Sequence, residues 1–138
     1  PSYVGASILL VNENFGSGSS REHAPQALKR WGIAACIGES FSEIFLGNAT
    51  TIGLPCATAS AAGIKMLMDA VEQTPATRLA LRVDALLVET AQLSHPVLIP
   101  AAIQESFLTG QWDATGLLLD QFDQVRQVAA ALPYVKGY

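Results

Sequence analysis

Two short, uninterrupted apolar runs, residues 6–11 (ASILLV) and 33–37 (IAACI), lie on either side of a segment with helical spacing. A continuous apolar run of this length suits a strand covered on both faces, and two parallel strands need a crossover between them, usually a helix. The crossover is legible in Ala24, Ala27, Leu28 and Trp31, with Gly32 where the helix would stop. Ser40 and Glu43 then form an S-x-x-E capping box ahead of Phe41, Ile44 and Phe45, and Gly53 and Pro55 close that unit. Ser60 is placed to cap a third helix with the stripe Ile64, Leu67, Met68 and Val71. Beyond it, Leu79, Leu81 and Val83 alternate with Ala80 and Arg82, so one face of that strand is expected to meet water. Residues 86–88 and 97–99 are further strands, and Phe122, Val125, Ala129 and Leu132 mark a last amphipathic helix before Pro133. The order predicts an α/β fold: a parallel βαβ core with a more antiparallel C-terminal part, in one domain spanning residues 1–138.

Composition narrows the function classes. Half of the 138 residues are hydrophobic and 14% are charged, which excludes disorder and leaves apolar surface for a partner. Net charge is −4 and the eight Lys and Arg are scattered, so nothing matches the clustered basic footprint of a nucleic-acid binder. No apolar run approaches the roughly 20 residues of a membrane span, and no secretory leader is visible. Cys36 and Cys56 stand in apolar settings, which reads as reduced core cysteines of a cytoplasmic protein with no metal site of its own. Trp31, Met66 and Met68 read as core or partner-facing surface, and His95, before Pro96, as a turn residue.

Residues 14–25, NFGSGSSREHAP, resemble no regular element. They follow a parallel strand and enter a helix, which is where α/β sheets place their sites. Gly16 and Gly18 permit backbone angles that let neighbouring amides converge on an anion. A dinucleotide loop would need Gly where Arg21 stands, a P-loop would need Gly-Lys-Ser/Thr, and no G-x-S-x-G elbow occurs here. Ser19 and Glu22 also fit a plain capping box, but Pro25 would then break the helix interior. A helix starting near Pro25 tolerates the proline and leaves Ser19, Ser20 and Arg21 on an exposed loop. His23 would then either cap the helix or orient the loop.

The loop, followed by SFSEIFLGNATTIGLP at residues 40–55, resembles the swivelling domain of the aconitase family, most closely in the 3-isopropylmalate dehydratase small subunits. The resemblance covers residues 14–55 and weakens after them; FLTGQWDATGLLL (residues 107–119) is similar to a downstream family segment. It implies Ser19 as catalytic base, Arg21 as the group that grips a substrate carboxylate, Ser20 and Gly18 as further substrate-binding residues, and Asn14 and His23 in support. A [4Fe–4S] cluster is implied on a partner large subunit, with none bound by this chain. It would act as a Lewis acid toward a hydroxy-dicarboxylate, so that 2- and 3-isopropylmalate interconvert in leucine biosynthesis. A related hydro-lyase of homoaconitase or citraconate hydratase type, or a non-catalytic module on the same fold, are the alternatives; the intact Ser19 and Arg21 favour an enzyme. Three departures accompany the match. Ser17 stands where relatives often have Cys, Trp112 replaces the first Asp of a pair and leaves Asp113 alone, and the chain begins after a segment that helps read the substrate side chain. That last departure predicts uncovered neighbours and self-association of the isolated subunit.

Overall fold

Strand β1 (Ile8–Val11), helix α1 (His23–Trp31), strand β2 (Ala35–Gly38), helix α2 (Glu43–Thr51) and strand β3 (Cys56–Thr58) form the expected βαβαβ run. The strands are parallel in the order β1-β2-β3, with Leu9 opposite Cys36 and Cys36 opposite Cys56. Helix α3 (Ala61–Gln73) leads to β4 (Ala80–Arg82), β5 (Leu87–Glu89) and β6 (Ser94–Pro96), which make an antiparallel sheet in that order. Helices α4 (Ala101–Thr109), α5 (Ala114–Asp120) and α6 (Phe122–Ala131) follow. This is a computed structural model, and it describes residues 3–18 and 21–132. The two sheets join at an antiparallel bridge between Thr58 and Leu98, whose amides and carbonyls exchange hydrogen bonds of 2.8 and 2.7 Å.

Side-chain alternation along β2 and β3 divides the core into two layers. Cys36 and Cys56 face α1 and α2, where Phe45, Ala49, Leu54 and Ile33 are buried with them. Ile37 and Ala57 face the other way, onto Ile64 and Leu67 of α3 and onto Val88, Val97 and Ile99. The free cysteines are fully enclosed, at 0% and 2% exposure. Hydrogen bonding between the two thiols holds Cys36 below the ordinary thiol range and, with burial, drives Cys56 far above it. Whatever their protonation, an alkylating reagent cannot reach sulfurs that the core encloses, so both thiols are inert in the folded chain. Native protein at pH 8 should therefore resist iodoacetamide at both positions and gain two adducts only on unfolding, as intact mass would report.

Several local expectations shift. The first strand starts at Ile8, and Ile8, Leu9 and Leu10 are only half-buried because β1 is the sheet edge; Val11 alone is fully covered. The second strand begins at Ala35, two residues later than its apolar run. Helix α2 is capped by Ser42, whose hydroxyl accepts from Phe45 N, so Phe41 precedes the helix and Ile44 points outward at 63% exposure. Ser60 does cap α3, accepting from Gly63 N at 3.1 Å. Residues 97–99 pair through Leu98, just beyond β6, and His95 lies within β6 with its ring against Gly63, not in a turn. On α1 the apolar stripe is not the buried face: Pro25 is buried and Leu28 packs on the core, while Ala24, Ala27 and Trp31 are exposed. Phe122 and Val125 of α6 are also exposed.

Candidate functional site

The loops after β1 and β2 emerge at the same end of the parallel sheet, and they are tied to each other. Phe15 N donates to Ser40 O at 3.1 Å and Ser42 N donates to Phe15 O at 2.9 Å, a parallel bridge beyond the strands proper. Asn14 adopts the left-handed conformation (φ 56°), and its amide donates to the Ser40 hydroxyl at 2.7 Å. Ser42 has two tasks: its hydroxyl donates to Gly16 O at 2.8 Å and accepts from Phe45 N at 3.3 Å, so the α2 cap also holds the glycine loop. Beneath the loop, the Phe15 ring stands edge-on to Phe45 at 5.2 Å and to Phe41 at 6.2 Å, and Phe41 stacks on Phe45.

Gly16 is required twice over. Its φ is +77°, and a Cβ there would lie 2.4 Å from Phe45 Cγ. Left-handed backbone costs a side-chain-bearing residue about 1–2 kcal/mol before any clash. Gly16→Ala should therefore lose at least about 2 kcal/mol in urea denaturation, while Ala at Gly47, inside α2 with open space around it, should cost nothing. Gly18, at φ +108°, faces open space, so only its backbone angle demands glycine.

Arg21 is exposed at the start of the next helix, and its carbonyl accepts from Ala24 N at 3.0 Å. Helix α1 has Glu22 as N-cap, with no side-chain cap bond, so the helix does not begin at Ser19 and Pro25 falls in the first turn. Glu22 instead accepts from the Gln26 side chain at 2.7 Å. His23 opens the helix and is exposed. The N-cap Glu22 stands at the loop end of α1, the first turn adds no further acid, and Lys29 and Arg30 in the last turn offset the negative end of the helix dipole. Ser19 and Ser20 lie outside the described residues. Sequence reading did not foresee the Ser40–Ser42 clamp; its signal was that loops after neighbouring parallel strands share one end of the sheet.

Two residues of the downstream segment acquire structural duties. Asp113 caps α5, accepting from Gly116 N at 2.8 Å. Trp112 lies against Gly53 so closely that a Cβ there would come within 2.6 Å of the ring, and Lys29 Nζ sits 5.2 Å from the ring centroid. Lys29 also donates to Ile52 O at the end of α2.

A groove of about 820 Å³ runs along residues 3–10, Met68 and Leu79, but none of its lining residues belongs to the loop. Among the described residues no group of three or more His, Cys, Asp or Glu side chains could hold a metal. A [4Fe–4S] cluster is held by four thiolates; this chain has two cysteines, both in the core, and does not fit one.

Comparison with known proteins bears on the same residues. The Aconitase C-terminal domain family matches residues 1–60, which include the loop, α1 and α2. The chain is 46% identical to the 3-isopropylmalate dehydratase small subunit of Thermus thermophilus, over 97% of this chain and 67% of that protein. With the protein of the same name from Synechocystis it shares 44% identity, over 96% of this chain and 66% of the relative. The chain thus spans about two thirds of the length of the curated relatives it matches. A crystal structure of 3-isopropylmalate dehydratase from Methanocaldococcus jannaschii superposes with TM-score 0.64, covering 87% of this chain and 68% of that one, at 24% identity. That likeness shows the fold, an α/β swivelling domain with a parallel core. Sequence identity across almost the whole chain shows more: it belongs to the family of 3-isopropylmalate dehydratase small subunits.

Proposed function

We propose that this chain is the swivelling domain of a cytoplasmic 3-isopropylmalate dehydratase small subunit, supplying half of an active site that a large subunit completes. Residues 1–138 are then one domain, and the reaction interconverts 2- and 3-isopropylmalate in leucine biosynthesis. The observation that carries the reading is the clamped glycine loop, held between two parallel strand ends and running into α1 with Arg21 exposed beside the helix N-terminus.

Arg21 offers a planar fork that binds a carboxylate bidentately, which a lysine could not match. Backbone amides around Gly18 and the start of α1 add donors and positive potential for the same anion. Ser19 takes a proton from the carbon adjacent to the hydroxyl-bearing one, the hydroxyl leaves as water with a proton supplied from the large subunit's half of the site, and both proton transfers reverse as water adds at the other carbon. A serine hydroxyl is a weak base, so it can do this only with amide donors nearby and water excluded, which is what a partner closing over the loop would supply. Ser20 lies next to it in sequence. Asn14 supports the site by holding the loop to Ser40, and His23 by opening α1. In this reading the [4Fe–4S] cluster belongs to the large subunit.

Among the described residues no helix is long and apolar enough to cross a membrane. The substrate expected is a small hydroxy-dicarboxylate. The test is to mix the full small subunit with cluster-loaded large subunit under anaerobic conditions and follow the unsaturated intermediate formed from 2-isopropylmalate. Turnover is the expected result. A complex that forms and turns over only a longer or shorter hydroxy-dicarboxylate would overturn the substrate assignment, and absence of any complex would overturn the half-site reading.

A further inference from the structure

The peptide unit between Gly16 and Ser17 is held at both ends. The Ser42 hydroxyl donates to Gly16 O at 2.8 Å, and Ser17 N donates to Asn14 O at 3.3 Å, which closes a turn over residues 14–17. The peptide is trans, so its carbonyl and its amide hydrogen point in opposite directions. A rotation of the plane that breaks one of these bonds therefore breaks the other. Such a rotation needs restraint here, because Gly16 stands at φ +77° and glycine occupies either sign of φ with equal ease. The held plane lies two residues ahead of Ser19 and sets the direction in which the chain leaves for it. Arg21 is fixed separately, by the bond from Ala24 N to its carbonyl at the start of α1.

Ser42 can hold that plane because its own place is set by two other bonds. Its amide donates to Phe15 O at 2.9 Å, and its hydroxyl accepts from Phe45 N at 3.3 Å as the N-cap of α2. A cap needs only an acceptor, and aspartate fills that role as well as serine does. A hydroxyl also carries a proton to donate, which a carboxylate lacks. The helix has no use for that proton; here it goes to the loop. We propose that Ser42 is a positioning residue for the reaction: through the Gly16–Ser17 peptide it sets where Ser19 stands relative to the carbon that loses its proton. Ser42 itself touches no reacting atom in this account. The inference rests on the half-site reading and adds the residue that aims its base.

Steady-state kinetics of the full small subunit, assembled with its cluster-loaded large subunit, test it with three variants. Ser42→Asp keeps the α2 cap, has no proton for Gly16 O, and sets a carboxylate against that carbonyl. Ser42→Gly removes the hydroxyl where glycine is a tolerated cap, and Ser42→Thr keeps both bonds. A displacement of about 1 Å can cost about 10²-fold in rate, so kcat should fall about 10–100-fold in the aspartate and glycine variants. KM should move by less than about threefold, because Arg21 is held by α1, and the threonine variant should keep kcat within about threefold of wild type. In a Ser19→Ala background, Ser42→Asp should lower kcat by less than about twofold, since groups that act as one unit are not additive. Hydrogen exchange of the Ser17 amide should quicken in Ser42→Asp, as its turn bond opens with the plane. Wild-type kcat in Ser42→Asp, beside a Ser19→Ala enzyme that has lost activity, would overturn the positioning role and leave the half-site reading standing; Ser42 would then only cap its helix. A full further loss in the Ser19→Ala background would also overturn it, by showing that Ser42 acts on something other than Ser19. If Ser19→Ala itself keeps wild-type kcat, the base assignment falls and the positioning role with it.

Discussion

Ser19→Ala, in the full small subunit assembled with its large subunit, should lower kcat by about 10²–10⁴, the range that a positioned general base contributes. Assembly should be unaffected, because one hydroxyl on a loop carries little of an interface. Ser20→Ala is the control that separates two adjacent serines, and its kcat should stay within a few-fold of wild type. Arg21 should fail differently. Arg21→Lys keeps the charge and loses the fork, and a hydrogen bond to a charged group contributes about 1.5–3 kcal/mol. The expected result is a KM raised roughly 10- to 100-fold, with kcat falling less. Steady-state kinetics with 2-isopropylmalate and 3-isopropylmalate reads both parameters. If Ser19→Ala keeps wild-type kcat, Ser19 is not the base. An Arg21→Lys enzyme with unchanged KM would remove the carboxylate contact.

The second large effect is expected far from any reacting atom. Phe45→Ala should destabilise the fold by about 3–5 kcal/mol, as truncation of a buried phenylalanine does elsewhere. Phe45 is 1% exposed and contacts both Phe15 and Phe41. It also occupies the space that a side chain at Gly16 would need. Removing the ring therefore opens a cavity beneath the glycine loop, so the loop should lose order along with stability. Phe45→Leu fills most of the volume and should cost about 2 kcal/mol less than the alanine variant. Urea denaturation gives the stabilities, and hydrogen exchange at Phe15 and Ser42 reports whether the loop's bonds open more often. A loss below about 1 kcal/mol for Phe45→Ala would mean that the aromatic cluster does not support the loop.

Chain order was legible in the sequence because it depends on local periodicity. The apolar runs at residues 6–11 and 33–37, the helical spacing between them and the alternation at Leu79, Leu81 and Val83 require only nearest-neighbour geometry, and the strands and helices appear in that order. The Ser60 cap and the Gly32 stop were equally local, and both are observed. The loop stood out for the same reason, since two glycines and a proline within ten residues constrain the backbone whatever surrounds them. What tertiary structure decided was which face of each element is covered. Ala24, Ala27 and Trp31 have the spacing of a buried stripe, yet the sheet lies on the Pro25 side of α1, and periodicity carries no information about that rotation. Ser40 and Ser42 are both plausible caps by composition. The choice fell to Ser42 because Ser40 is taken by Asn14 from a loop 26 residues earlier in the chain. Phe45 became the support of the glycine loop through contacts with Phe15 and Gly16 that no local pattern encodes. Local periodicity sets the elements, while burial and loop-to-loop bonding depend on distances between residues far apart in sequence, and these exist only once the chain has folded.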